Sequence, residues 1–86
     1  MITIPRSNLT PRQRLPKDPE NMNGDRALWA EQALITFMQE TGTEQQDAVA
    51  DLICDLMHYC DRDMLLNFEH CLTRARMHYV EETKIW

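Results

Sequence analysis

The chain has 86 residues, of which 43% are hydrophobic and 27% charged, and its formal net charge at pH 7 is −5. These values are typical of a globular protein and exclude a disordered acidic chain, and no apolar run is long enough to span a bilayer. So short a chain forms one domain at most, with a thin core.

Residues 1–22 are predicted to form an extended or disordered arm ahead of a helical domain at 23–86. The prolines of this arm lack an N–H donor and bias the residue before them away from helix. They are Pro5, Pro11, Pro16 and Pro19. The arm is therefore expected to lie outside the helical core.

Charge is spread unevenly between the arm and the domain. Residues 1–20 contain four basic and two acidic side chains, whereas the rest of the chain contains five basic and twelve acidic ones. Because an acidic body repels phosphate backbones, we do not expect nucleic acid as a partner except through the arm. The candidate contact residues there are Arg6, Arg12, Arg14 and Lys17.

The first helix is predicted over residues 25–40, with Asn23 or Asp25 as its N-cap. Gly42 should end it by adopting the left-handed conformation. Apolar residues at spacings of three and four give it one stripe, which Trp29 and Ile35 widen. The stripe consists of Ala27, Ala30, Leu34, Phe37 and Met38.

A helical hairpin is predicted over 43–62 and 67–83, which completes an all-α, three-helix domain. Thr43 and Gln46 have the spacing of a capping box at its start, and Asp63 or Asn67 can cap its second helix. Helical periodicity predicts one buried stripe on each helix. The first stripe is Val49, Leu52, Ile53, Leu56, Met57 and Cys60, and the second is Phe68, Cys71, Leu72, Ala75 and Tyr79.

An acidic row on the first hairpin helix is the main candidate for metal chemistry. Asp47, Asp51 and Asp55 could hold magnesium as in all-α nucleotide pyrophosphohydrolases, which use acidic pairs on two facing helices. The preceding helix lacks the second pair, since Glu31 is followed at the matching offset by Leu34. A solvated helix face is the preferred interpretation, with the enzyme as the alternative.

The cysteines and histidines give a second metal alternative. Cys54 and His58 are one turn apart, but the Cys-x-x-Cys pairs usual in structural zinc sites are absent. No nucleophile with a base at a defined spacing is present, so we expect no catalytic residue, no metal and no cofactor. An odd cysteine count and the lack of a signal peptide predict reduced thiols in the cytoplasm.

Methionine and aromatic side chains are the candidates for binding a protein partner. Such residues make adaptable apolar contacts, and self-association would enlarge the core of so small a chain. The candidates are Trp29, Met57, Tyr59, Met77, Tyr79 and Trp86. We therefore expect a protein partner and a homo-oligomer, with no membrane contact.

The segments Asp51–Arg62 (DLICDLMHYCDR) and Arg74–Glu82 (RARMHYVEE) resemble small acidic helical proteins carried by bacterial phages and other mobile elements. The resemblance covers about the C-terminal two thirds of the chain and implies a setting in which such proteins bind and block a host protein. The leading hypothesis is a non-enzymatic interaction module. The alternatives are the magnesium-dependent enzyme or metal protein and a DNA-associated regulator that uses the basic arm.

Overall fold

A computed structural model of the chain describes residues 15–63 and 65–84. Three helices follow one another, α1 (Asn23–Thr41), α2 (Gln45–Arg62) and α3 (Phe68–Thr83), and the described residues contain no strand. The prediction of an all-α, three-helix domain is confirmed, and the predicted helix ends lie within two residues of the observed ones. Residues 1–14, which hold most of the predicted arm, lie outside the described residues.

The start of α1 is capped by a residue that the periodic pattern did not indicate. The carboxylate of Asp18 accepts hydrogen bonds from the backbone N–H groups of Met22 (3.0 Å) and Asn23 (3.2 Å). The chain reverses before the helix through Asn21, whose φ is 57°, so Asp18 reaches the N–H groups of the N-cap residue Met22 and of the first helical residue Asn23. The prediction that Asn23 or Asp25 caps this helix is therefore wrong.

The α1–α2 connection is made by a left-handed glycine, as predicted. Gly42 has φ 73°, and its N–H donates to the carbonyl of Met38 at 2.8 Å. The predicted capping box is wrong, because α2 begins at Gln45 and has no side-chain cap. The hydroxyl of Thr43 is hydrogen-bonded instead to that of Thr41, 2.9 Å away.

The two glycines should respond to alanine with opposite signs. Alanine at Gly42 must adopt a left-handed backbone, which costs about 1–2 kcal/mol. Gly24 lies within α1 and has open space around it, so Gly24→Ala should stabilise the protein by up to about 1 kcal/mol. Urea unfolding of the two variants measures both values. Destabilisation by Gly24→Ala would contradict the open helical site described for it.

The asparagine that begins α3 performs the capping role predicted for it. The side-chain oxygen of Asn67 accepts a hydrogen bond from the backbone N–H of His70 at 3.0 Å. The C-terminal end of α3 is tied to α1 by polar contacts: Nδ2 of Asn23 donates to the carbonyl of Glu82 at 3.0 Å, and Arg26 pairs with the Glu82 carboxylate at 3.4 Å. Partly exposed ion pairs contribute about 1 kcal/mol or less, so this tie orients the helices more than it stabilises them.

Very little hydrophobic surface is buried in the part of the chain that the structure describes. Among the described residues the core consists of Ala48, with no exposed surface, and Cys60, which is 8% exposed. The prediction of a buried stripe on α2 is wrong, since Val49 and Ile53 are 60% and 47% exposed. On α3 the predicted inner face is also largely open, with Cys71, Ala75 and Tyr79 all exposed. The helices bring their stripes side by side without covering them.

Candidate interaction surface

The exposed stripes of α1 and α2 form the walls of one continuous groove, which we call the α1–α2 groove. Its volume is about 640 Å³. Six residues of α1 and five of α2 line it: Ala27, Ala30, Glu31, Leu34, Ile35 and Met38 on the first helix, and Gln45, Val49, Leu52, Ile53 and Leu56 on the second.

The spacing of these residues along each helix explains why a groove forms. On each helix they recur at intervals of three and four, so they share one side over about three turns, or about 16 Å. The tight connection at Gly42 places the end of α1 beside the start of α2. The two stripes therefore run antiparallel, next to each other, and open to the same side of the hairpin.

The chemistry of the groove is almost entirely aliphatic. Glu31 is the one charged side chain among its lining residues, and Gln45 is the one neutral polar side chain. The other nine are alanine, valine, leucine, isoleucine and methionine, whose burial is favourable at about 25 cal/mol per Å² of apolar surface. Such walls attract apolar side chains and offer few hydrogen-bonding groups to orient a small polar molecule.

The partner-binding candidates that the structure describes lie at the surface but outside this groove. Five of them are described and all five are exposed: Trp29, Met57, Tyr59, Met77 and Tyr79. The sixth, Trp86, lies outside the described residues. Trp29 stands two positions from Ala27 on α1, which places it on another side of that helix. Helical periodicity predicts a buried position for apolar residues such as Val49 and Ile53, so the sequence does not indicate the groove that they line.

The alternative metal ligands are all exposed and away from the groove. Asp47, Asp51 and Asp55 succeed one another at intervals of four and share another face of α2. Cys54 and His58 are exposed as well. Within residues 15–63 and 65–84, no group of three or more histidine, cysteine, aspartate or glutamate side chains is placed to hold a metal ion. Of the arm contacts, Lys17 is exposed, and Arg6, Arg12 and Arg14 lie outside the described residues.

The cysteines differ in their environment, which should show in their reactivity. Burial raises the pKa of the Cys60 thiol, and the hydrogen-bonded Cys71 thiol and the carboxylates of Asp61 and Asp63 raise it further. Because the thiolate is the reactive form, Cys60 should resist alkylation at neutral pH and react only at higher pH or on unfolding. Cys54, which is exposed, should be alkylated before Cys60. Mass spectrometry of timed alkylation samples checks this order, and equal rates for Cys54 and Cys60 would contradict it.

No helix in the described part of the chain has the length and apolarity needed to cross a membrane. Comparison with models of protein families, with curated proteins and with solved structures gave no match to this chain.

Proposed function

We propose that the protein is a non-enzymatic interaction module whose α1–α2 groove binds another polypeptide chain. One observation carries the proposal: two helices of a small acidic protein present a continuous aliphatic groove to solvent. A contiguous apolar surface that is exposed to solvent is a feature of protein–protein contact sites.

The shape and chemistry of the groove favour a helical ligand over a small molecule. A groove between two helices accepts the apolar side of an amphipathic helix, whose residues at i, i+3, i+4 and i+7 fill it along its length. Small-molecule sites, by contrast, combine an apolar pocket with several placed polar groups. Only Glu31 and Gln45 could serve in that way here, and they lie on different helices.

The proposal places the protein in the cytoplasm, in the setting that the resemblance to mobile-element proteins implies. There it would act by occupying a surface of another protein. The three free cysteines agree with a reducing compartment, where exposed thiols persist without cross-linking.

Site-specific photocross-linking in cells that produce the full chain tests this function. A benzoylphenylalanine side chain replaces Ile53 in the groove, and Val49 serves as a second groove position. The matched control carries the same side chain at Asp51, on another face of α2. We expect a polypeptide adduct from both groove positions and none from position 51. Absence of any protein adduct from the groove positions would refute the proposed function.

A further inference from the structure

We infer that Cys60 and Cys71 form a reversible disulfide that joins α2 to α3 when the thiol pool around the protein becomes oxidised. The two thiols lie beside each other and are hydrogen-bonded. Cys60 is 8% exposed, whereas Cys71 is open to solvent. The pair is separate from the α1–α2 groove, since neither cysteine is among the residues that line it.

The turn between α2 and α3 brings the two cysteines to the same level of the hairpin. Asp63 ends α2 and Asn67 begins α3, and the N–H of Leu66 donates to the carbonyl of Asp63 at 3.0 Å within this turn. Cys60 lies three residues before Asp63, and Cys71 lies four residues after Asn67. Both are therefore about one helical turn, or about 5.4 Å, from the junction.

Helix packing sets a separation that a disulfide can span. Helices in contact have axes about 8–10 Å apart and Cα atoms about 2.3 Å from each axis, so facing Cα atoms come to about 3.4–5.4 Å from each other. A disulfide joins Cα atoms about 4.4–6.8 Å apart. The two ranges overlap, and the thiols of Cys60 and Cys71 are already hydrogen-bonded, so rotation of the side chains can close the bond.

Oxidation proceeds by exchange with a small disulfide such as oxidised glutathione. The thiolate of the exposed Cys71 attacks one sulfur of that disulfide, whose S–S bond breaks and whose other half leaves as a thiolate. The sulfur of Cys60 then loses its proton to solvent and attacks the Cys71 sulfur of the mixed disulfide, which releases the second half as a thiolate. The two released thiolates take up the two protons, so two cysteine thiols are oxidised and one glutathione disulfide is reduced to two thiols.

The disulfide fixes a helix that is otherwise held mainly by polar contacts. Every residue of α3 is exposed or half-buried, and its C-terminal end is tied to α1 through Glu82. A bond at Cys71 fixes the N-terminal end of α3 to α2 as well. Because local opening is easiest where few groups are buried, oxidation should slow the opening of α3.

Peptide mapping of the native full chain tests the inference. The protein is equilibrated in buffers with a rising ratio of oxidised to reduced glutathione and quenched with acid, and its remaining thiols are alkylated after unfolding. We expect a disulfide between Cys60 and Cys71 within one chain. At about 10 μM protein, an effective concentration of about 1 mM favours this bond over links between copies by about 100-fold.

Hydrogen exchange gives a second readout, because amide exchange in α3 should be slower in the oxidised wild type than in the reduced protein. Cys54→Ser is the matched control, since Cys54 is exposed on the same helix, and this variant should form the Cys60–Cys71 bond at the wild-type glutathione ratio. Cys60→Ala should retain glutathione on Cys71. If Cys60→Ala fails to fold, Cys71→Ser takes its place and should leave Cys60 unmodified in the native protein.

Four results would overturn the inference. The first is a native wild type that accumulates glutathione or links between copies without the Cys60–Cys71 bond, and the second is a bond that appears only after unfolding in urea. The third is glutathione on Cys60 of Cys71→Ser at the wild-type rate of oxidation. The fourth is amide exchange in α3 that oxidation leaves unchanged, because the disulfide would then not fix this helix.

Discussion

Thermal unfolding of this protein should move to higher temperature as the protein is concentrated. The sequence predicts a homo-oligomer, and mass action favours a dimer at high concentration, so a rise of about 100-fold in concentration would stabilise a folded dimer by about 2.7 kcal/mol. For two chains of 86 residues that unfold together, this corresponds to a rise in Tm of about 5–11 °C. A protein that folds as a monomer has a Tm that does not depend on its concentration.

Far-UV circular dichroism, with the path length matched to each concentration, gives the Tm values directly. Ala50→Glu should show the same dependence of Tm on concentration as the wild type, because the new carboxylate lies at an exposed position. Ile53→Glu places a carboxylate in the α1–α2 groove, so it should reduce the concentration dependence of an assembly formed through that groove. A constant wild-type Tm over the whole concentration range would show that one copy is stable alone, despite a described core of two side chains.

The helices and their connections could be predicted because their signals are local. Gly42 and Asn67 act through their own backbone and side chain, on groups within four residues of them. Their roles depend on chain geometry alone, which sequence spacing encodes. The helix limits were therefore predicted to within two residues.

The capping predictions that were wrong concern sites where another residue makes the hydrogen bond. Thr43 has the right spacing from Gln46 for a capping box, but its hydroxyl accepts a hydrogen bond from the hydroxyl of Thr41 instead. Asp18 lies five residues before the first helical residue of α1, and it accepts the N–H of that residue. It does so through a turn in which Asn21 is left-handed, and helical periodicity does not indicate such a turn. Spacing shows that a hydrogen bond is possible, and the geometry of the turn decides which partner makes it.

The groove could not be predicted because periodicity describes an apolar face without saying what covers it. The stripe from Val49 to Cys60 satisfies helical spacing whether it packs against α1, against α3 or against another chain. In the structure only Cys60, at its last position, is buried. The remaining members line the open groove or lie beside it. The short length of the chain is consistent with this, because a small protein can bury only a limited share of its surface.

The largest effect of a single apolar substitution inside one copy is expected at Ala48. Its side chain has no exposed surface, so Ala48→Leu must push neighbouring helices apart to place its larger side chain. Overpacking of this kind costs about 1–3 kcal/mol. A domain of this size rarely has more than about 5 kcal/mol of stability, so the variant should lose much of its folded population at working temperature.

Ala50→Leu is the matched control, since it makes the same change two residues away at an exposed position of α2. It should alter the free energy of unfolding by no more than about 0.5 kcal/mol. Urea unfolding of both variants at one protein concentration keeps the contribution of association constant, so the difference between them reports packing around Ala48. If both variants unfolded at the wild-type urea concentration, Ala48 would have room around it and its surroundings would not be closely packed.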